Sequence, residues 1–350
     1  MKKIITIIIS LLLFFSVPQV THSQDKSTQN NSTKSLEAEI IEVGADFIRV
    51  KSDDGQRYTL DKNSQFKLAG QVHKGDDVIL KEVIRDGQKE YIISSFDRSG
   101  SIIMLFVLFA IVLVLVNGKR GLKSLLNLII TYTIILSIII PLILNGWSPV
   151  LVTVVGGIIA MGWNVYFSHG INKKSHATMA GIASSLLIVG VLGWLFIRYG
   201  SLSGSIEQGA NILYGVGYKN INFRGLLLAA VLIGALGVLD DLVVSQVSVV
   251  KELKDKNPDI SKTELFKSAM RVGHDHTSAI VNTLVLAYTS ASFPLVILFS
   301  VGVKPFNSLT NTLNNETVAT EIVRMLVGGI GILLSMPIAT VIATYLFEEE

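Results

Sequence analysis

The chain has 350 residues, of which 50% are hydrophobic and only 16% are charged, with a formal net charge of +3. Soluble domains average about 25% charged residues, so this composition argues against a wholly cytosolic protein, and the small net charge gives no support for a nucleic-acid partner. The absence of cysteine excludes disulfides, thiolate metal ligands, cysteine nucleophiles and a lipoprotein anchor. Residues 24–98 hold 26 of the 57 charged side chains, which indicates a small polar domain joined to a large apolar one.

Residues 1–23 have the pattern of an export signal. Lys2 and Lys3 precede an apolar run from Ile4 to Val17, and small residues near Ser23 offer a cleavage point. The run has ~14 residues, whereas a spanning helix needs about 20, so a signal peptide is favoured over an uncleaved signal anchor, which stays the alternative. Residues 24–35 are polar and poor in hydrophobic side chains, and they are predicted to form a linker.

Residues 36–97 alternate apolar and polar side chains with a period of two, which predicts β-strands. Turn sequences at Gly44, Gly55, Gly75 and Gly87 divide this segment into five short strands. We therefore predict a small extracytoplasmic β-barrel-like domain of the OB or SH3 kind. It lacks the basic, aromatic-rich face of a nucleic-acid binder, so we expect a binding or assembly module with an envelope protein as partner.

Residues 98–350 form the predicted multi-spanning transmembrane domain. The predicted spans are Ser101–Val116, Leu122–Leu144, Trp147–Phe167, Ala177–Ile197, Gly225–Val250, Thr277–Val301 and Ile322–Phe347. The fold class is therefore mainly α, a polytopic transmembrane helical bundle of about seven spans after a signal-like segment, with the small β domain attached.

The distribution of Lys and Arg predicts the orientation in the membrane. With the β domain outside, the cytoplasmic loops carry 11 basic residues and the opposite loops carry five. This bias agrees with the export signal, which is an independent indication. We expect residues 24–98 to be extracytoplasmic and the C-terminus to be cytoplasmic, in a multi-pass protein whose immediate partner is the lipid bilayer.

Two adjacent carboxylates, Asp240 and Asp241, interrupt the fifth predicted span. An intramembrane carboxylate costs ~2.5–3.5 kcal/mol on insertion scales, so it needs a partner or water. Helical spacing places Asp241, Ser245 and Ser248 on one polar stripe. We therefore expect Asp241 to face the centre of the bundle and Asp240 to point elsewhere.

The sixth predicted span begins with a second polar group. Asp275 and Asn282 lie seven residues apart and share a helix face, which we expect to meet the face of Asp241 in the inner leaflet. Carboxylate and amide oxygens suit a hard cation or a proton, and the alternative is a polar clasp that fixes the register of two helices. His274 and His276 are two residues apart and point to different sides of a helix, so no metal site and no cofactor are predicted.

The segment before this span has the pattern of a short amphipathic helix. A capping box at Ser261–Glu264 is followed by apolar positions interleaved with Lys262, Lys267 and Arg271. We expect this helix to end at Gly273 and to lie on the inner membrane surface.

Two runs resemble the YibE/F-like membrane proteins of bacteria: residues 234–241, followed by Ser245 and Ser248, and residues 273–275, which lead into residues 282–288. The resemblance covers the chain from about Ser101 to the C-terminus. It implies a signal-like segment, a small exported domain and a multi-spanning core in the bacterial plasma membrane, and it supplies no activity. The family usually has Arg rather than His at position 274 and an apolar residue at position 276, and this difference leaves Asp241, Asp275 and Asn282 as the better site residues.

Three functions are compatible with these features. The first is a transporter or permease component that works through the polar cluster Asp241, Ser245, Ser248, Asp275 and Asn282 and is compatible with a partner membrane subunit. The chain has no P-loop, so ATP-driven transport would need a separate ATPase subunit. The second is a non-transporting envelope protein whose β domain binds a partner. The third, an intramembrane enzyme, is disfavoured because no hydrolase, metalloprotease or dinucleotide motif occurs, so we expect no enzymatic activity.

Overall fold

The computed structural model describes residues 35–62, 72–85, 88–205 and 208–347. The predicted signal segment 1–23 and the predicted linker 24–35, apart from Ser35, lie outside the described residues. The chain forms two compact units that divide between Leu122 and Lys123. The first carries the β-strands and the start of the first long helix, and the second carries the remaining helices.

The first unit contains an antiparallel sheet of five strands, with the spatial order β3-β2-β1-β4-β5. The strands are β1 (Ser35–Val43), β2 (Phe47–Ser52), β3 (Arg57–Asp61), β4 (Asp77–Arg85) and β5 (Gln88–Phe96). Each predicted strand is present, with ends that differ by at most a few residues. No hydrogen-bonded pairing joins β3 to β5 in the part of the chain that the structure describes, so the sheet is open and closure into a barrel is not confirmed.

The period-two pattern produces the core of this unit. Ile40, Ile48, Val50 and Leu80 are fully buried, and Ile40 lies opposite Val50 in the β1–β2 pair. Their neighbours along each strand are exposed or only partly buried, because successive side chains of a strand point to opposite faces. The unit therefore has its own hydrophobic core.

The described helices begin with α1 (Ser99–Ile134), which continues through a π-helical stretch (Ile135–Ile139) into α2 (Ile140–Leu144). The others are α3 (Pro149–His169), α4 (Lys173–Tyr199), α5 (Gln208–Gly215), α6 (Phe223–Lys256), α7 (Lys262–Ala291), α8 (Phe293–Val301), α9 (Leu309–Leu313) and α10 (Glu316–Leu346). Side-chain caps mark several starts: Ser148, Asn172, Asn222 and Ser261 each accept a hydrogen bond from the first turn of the helix that follows.

Helix α6 lies at the centre of the second unit and packs against α3, α4, α7 and α10. Its buried side chains occur around most of its circumference, which is the pattern of an enclosed helix. Gly181 of α4 permits close packing here, because a Cβ at this position would meet Val243 of α6 and Ala339 of α10.

Five helical segments are long and apolar enough to cross a membrane, or six if α7 and α8 form one span bent by 69°. The predicted count of seven is therefore not confirmed. The difference lies in Ser99–Leu144, which is continuous by hydrogen bonding and counts as one segment of 46 residues. The break that the sequence suggested is a backbone kink at Gly118, where φ is 56° and ψ is −131°.

The amphipathic helix predicted before the sixth span does not end at Gly273. Helix α7 runs without a break from Lys262 to Ala291, and Leu265 and Ala269 are buried in the core with the end of α10. A Cβ on Gly273 would collide with Met336 and Gln246, so this glycine serves close helix packing rather than helix termination. The first half of α7 is thus part of the bundle core.

Candidate functional site

The buried carboxylate of the bundle is Asp240. Its exposed fraction is 9%, whereas Asp241 is exposed. This reverses the predicted orientation of the pair. The stripe of Ser245 and Ser248 does not mark the inner face of α6, because the inner face is the one that carries Asp240, Val243 and Val247.

Asp240 is held by an amide on a neighbouring helix. The Nδ2 atom of Asn164 in α3 donates to Oδ2 of Asp240. The Oδ1 atom of Asn164 in turn accepts from Nδ2 of Asn127 in α1. A second hydrogen of that Asn127 amide is donated to Oγ of Ser168, at 2.8 Å. These four side chains form one continuous polar chain across three apolar helices, and we call it the Asp240 chain.

Helical spacing explains why α3 contributes two members. Asn164 and Ser168 are four residues apart and therefore lie on the same face, one turn from each other. Asn127 lies opposite this face, seven residues before the end of α1, and is 6% exposed. Ser168 is next to the end of α3, so the Asp240 chain runs from that end of the bundle into its interior.

Two acceptor atoms of the Asp240 chain are buried and unsatisfied. Oδ1 of Asp240 and Oδ1 of Asn127 have no hydrogen-bond partner among the described residues. Asn127 donates both of its amide hydrogens, and its Oδ1 atom can only accept a hydrogen bond. Buried polar atoms are almost always paired, and a buried carboxylate oxygen without a donor favours the binding of a proton or a cation.

The donor set indicates which ligand fits. Carboxylate and amide oxygens are ligands for hard cations, and a proton on Asp240 would remove its charge altogether. Within the described ranges, no three His, Asp or Glu side chains come close enough to hold a metal ion together. The arrangement can therefore hold a proton or a single weakly bound cation.

A second buried polar group is centred on Gln246, which lies about one and a half helical turns after Asp240 on α6. Nε2 of Gln246 donates to the Ala269 carbonyl at 3.1 Å and to Oγ1 of Thr340 at 2.8 Å. Thr277 donates its hydroxyl hydrogen to Sδ of Met336 at 3.1 Å. This Gln246 group joins α6, α7 and α10, and its donors are engaged, so it acts as a clasp between helices.

The structure does not join the five predicted site residues to one another by hydrogen bonds in the described part of the chain. Ser245 and Ser248 are half-buried, and the Ser248 hydroxyl donates to the Val244 carbonyl of its own helix at 2.6 Å. Asp275 and Asn282 are exposed. Asp241 lies within electrostatic range of His276 of α7.

The helical wheel of α7 explains where Asp275 and Asn282 point. The buried positions of this helix are Leu265, Ala269, Gly273, Thr277 and Leu284. With about 100° between successive residues, Asp275 and Asn282 fall on the side opposite this buried stripe. The prediction that their face meets that of Asp241 is therefore wrong, because α7 turns its buried stripe, and not the side of Asp275 and Asn282, toward α6 and α10.

The bundle also contains a broken helix. Helix α7 ends at Ala291, and α8 continues after Ser292 at an angle of 69°, with Pro294 in its first turn. Next to the bend, a cavity of about 220 Å³ is lined by Tyr288, Ser292 and Glu321 among others. Interrupted helices that expose backbone groups beside a cavity are a common feature of membrane transporters.

The residues that sequence reasoning missed are Asn127, Asn164 and Ser168. The signal was present: they are polar side chains inside the stretch between Ser124 and Asn172 that has no charged residue. Amides in apolar spans seek hydrogen-bond partners on other helices. Pairing Asn127 and Asn164 with Asp240, however, requires the packing of α1, α3 and α6, which periodicity alone does not supply.

No curated protein and no solved structure shows significant similarity to this chain. The sequence model of the YibE/F-like proteins matches residues 105–349, which is most of the chain and includes every helix from α2 onwards. This match confirms the resemblance to these proteins that the sequence analysis identified. The chain therefore belongs to the YibE/F-like protein family.

Proposed function

We propose that the chain is a transporter or permease component of a bacterial plasma membrane, in which Asp240 binds the coupling proton or cation. The observation that carries the proposal is the buried Asp240 carboxylate, whose Oδ1 atom has no partner among the described residues. Ionisable side chains inside membrane helices are costly and mark ion or proton pathways more often than structural contacts. On this proposal the chain is not an enzyme.

The path to Asp240 supports this role. Asn164 lies five residues from the end of α3, or ~7.5 Å, and Ser168 lies next to that end. Lys123 lies over the Phe167 ring, 5.7 Å from its centroid, at the same end of the bundle. The Asp240 chain thus leads from a polar end of the bundle to a buried carboxylate, which is the arrangement that a binding site reached from one side requires.

The bend between α7 and α8 also supports a transporter role. A transporter has to expose its site alternately to two sides, and interrupted helices commonly take part in such movements. Helix α7 takes part in the Gln246 clasp and packs against α6, so a movement at Ser292 would be transmitted to α6 along α7.

The topology that we propose has seven spans, with residues 24–98 extracytoplasmic and the C-terminus cytoplasmic. It is supported by the surplus of Lys and Arg on the loops assigned to the cytoplasm. It is also supported by the kink at Gly118: a Cβ on Gly121 would collide with the Leu113 carbonyl, which a straight helix would hold ~12 Å away. The 46 residues of Ser99–Leu144 suffice for two crossings of a ~30 Å hydrocarbon layer.

The alternative for the Asp240 chain is a polar clasp that only fixes α1, α3 and α6. A clasp needs hydrogen-bonding capacity but not charge, so Asp240→Asn distinguishes the two roles. Asp241→Asn is the matched control, because it removes the same charge from the adjacent, exposed residue. It also tests the sequence-based assignment of Asp241, Ser245, Ser248, Asp275 and Asn282.

The test is ion flux into proteoliposomes that contain the full-length protein, measured with pH-sensitive and Na⁺-sensitive dyes under imposed proton and Na⁺ gradients. We expect flux with the wild type and with Asp241→Asn, and loss of most of the flux with Asp240→Asn at unchanged thermal stability. Full flux with Asp240→Asn would establish the clasp. Loss of flux only with Asp241→Asn would indicate that the site is formed by Asp241, Ser245 and Ser248 instead.

The second candidate function is a non-transporting envelope protein that binds a partner through its β unit, with or without a partner membrane subunit. The independent hydrophobic core of the sheet favours this role for the unit, because Ile40, Ile48 and Val50 are buried within it. The two candidates make opposite predictions for the flux assay: a purely structural protein gives no flux in any variant.

A further inference from the structure

A positively charged pocket lies at the end of the bundle where α4 ends and where α3 and α6 begin. It has a volume of about 610 Å³, and its polar lining consists of Arg198, Ser203, Ser205, Asn222 and Arg224. The charge distribution assigns this end to the extracytoplasmic side. The pocket is remote along the helices from Ser168, so it is distinct from the Asp240 chain.

The charge of the pocket is positive. Among the residues that the structure describes, no carboxylate lines the pocket, and none of the ion pairs found there involves Arg198. Arg224 donates its Nε hydrogen to the Leu202 carbonyl at 3.0 Å, which fixes the side chain and leaves its terminal NH₂ groups for another acceptor. The N-terminus of α6 at Phe223 adds to the positive potential.

The carboxylate of Glu316 lies behind the loop that adjoins the pocket. Oε1 of Glu316 accepts from the Ser203 hydroxyl at 2.7 Å and from the Gly204 amide at 3.1 Å. These bonds hold the loop that forms one wall of the pocket. Glu316 thereby shapes the pocket, and it is not one of the residues that line it.

An apolar furrow continues from this pocket along the bundle. It also has a volume of about 610 Å³ and runs between α3 and α4 over α6. Val150, Trp194 and Leu228 line both the pocket and the furrow, so the two are contiguous. Apart from these residues, its lining is aliphatic side chains and Gly190.

The length of the furrow corresponds to one leaflet. Along α4 its lining extends from Ala183 to Trp194, which at the rise of an α-helix is ~16 Å. Half of a ~30 Å hydrocarbon layer is ~15 Å. A cationic pocket at the membrane boundary, joined to an apolar furrow as deep as one leaflet, has the shape and polarity of a lipid molecule.

We propose that this site binds an anionic membrane lipid of the outer leaflet, with its phosphate between Arg198 and Arg224 and one hydrocarbon chain in the furrow. Guanidinium groups match phosphate oxygens in charge and in geometry. The apolar furrow accounts for the selection of a lipid over free phosphate, and the two arginines account for the selection of an anionic lipid over a zwitterionic one. The site does not depend on the transport role of Asp240.

Trp194 reports on the site because it lines both parts. The full-length protein is reconstituted with Trp147→Phe and Trp163→Phe, which leaves Trp194 as the single tryptophan of the three. Vesicles contain phosphatidylcholine with an equal fraction of either brominated phosphatidylglycerol or brominated phosphatidylcholine, and bromine quenches nearby tryptophan. We expect the anionic lipid to quench Trp194 with an apparent affinity about fivefold higher, as an exposed ion pair allows.

The arginine variants test the cause of this preference. Arg198→Gln and Arg224→Gln should each reduce the preference, and the double variant should abolish it. Lys219→Gln is the matched control, since Lys219 lies over the Tyr214 ring and does not line the pocket. Because Arg224 also supports the Leu202 loop, Arg198→Gln carries the test if Arg224→Gln fails to fold.

Three outcomes would overturn the proposal. Equal quenching by the two brominated lipids would show that no anionic lipid is selected. A preference that is as large in Arg198→Gln as in the wild type would place the selection elsewhere. Release of the brominated lipid by millimolar inorganic phosphate would identify a small-anion site instead of a lipid site.

Discussion

Asn164 and Asp240 are 76 positions apart in the chain, and their side chains are hydrogen-bonded across the interface of α3 and α6. Asn164 donates to one carboxylate oxygen, while the other, Oδ1, is buried without a partner among the described residues. The amide of Asn164 therefore orients the carboxylate and leaves its Oδ1 atom available to another ligand. Asp240 thus combines a fixed position with an unfilled acceptor.

The hydrogen bond itself can be tested by thermal unfolding in detergent. Asn164→Leu removes the only hydrogen-bond donor that the described residues offer to Asp240, and it leaves Oδ2 buried and unpaired. An unsatisfied buried acceptor costs ~1–3 kcal/mol, so we expect a clear loss of stability. Asn117→Leu is the control, since that exposed amide donates only to Leu113 of its own helix, and we expect a change within ~0.5 kcal/mol.

A double-mutant cycle separates this bond from general packing. If Asn164 acts through Asp240, Asn164→Leu should lower the stability of the Asp240→Leu variant much less than it lowers that of the wild type. A coupling energy of ~1–3 kcal/mol is expected for two side chains in contact. Additive effects of the two substitutions would show that Asn164 stabilises the bundle by other contacts.

Sequence reasoning predicted the parts of this molecule that depend on periodicity. The five strands follow from period-two alternation, and the helices around Asp240 follow from long apolar runs. The direction of a single side chain within a helix that is buried nearly all round does not follow from periodicity. Asp240 and Asp241 differ by about 100° on α6, and the packing of α3 decides which of them is enclosed.

The same limit explains the position of Gly273. As a lone glycine after an amphipathic segment it predicted a helix end, because glycine is common there. In the structure it lies in the middle of α7, and its missing side chain leaves room for Met336 and Gln246. Only knowledge of which helix faces α7 distinguishes these two uses of glycine.

The packing role of Gly273 leads to a stability prediction. Gly273→Ala places a Cβ against Met336 Sδ and Gln246 Oε1, so we expect a loss of ~1–3 kcal/mol from overpacking. Gly237→Ala in α6 is the matched control, since a Cβ there meets no atom within 4 Å, and alanine favours the helix. Thermal unfolding of both variants in the same detergent is the measurement. Equal stability of the two variants would contradict the close approach of α7 to α10.

The β unit should fold without the membrane helices, because its core is formed by its own strands. We expect a fragment of residues 36–97 to be soluble and to unfold in one cooperative transition. Leu80→Ala should lower its free energy of unfolding by ~2–5 kcal/mol, since Leu80 is fully buried between β1 and β5. Thr59→Ala, at an exposed position of β3, should change it by less than ~0.5 kcal/mol. Circular dichroism with urea titration measures both, and a fragment that is unfolded without the helices would rule out an independent unit.

The proposed orientation can be tested with single cysteines, because the chain has none. Lys74 lies in the turn before β4 and Lys256 in the last turn of α6, and both are exposed lysines. The surplus of basic residues on the loop after α6 assigns Lys256 to the cytoplasm, whereas the export signal assigns Lys74 to the outside. On intact cells, an impermeant maleimide should therefore label Lys74→Cys and should label Lys256→Cys only after the cells are opened. Equal labelling of both in opened cells controls for reactivity. If Lys256→Cys were labelled on intact cells and Lys74→Cys were not, the polar end of the Asp240 chain at Ser168 would face outward and the arginine pocket would face the cytoplasm.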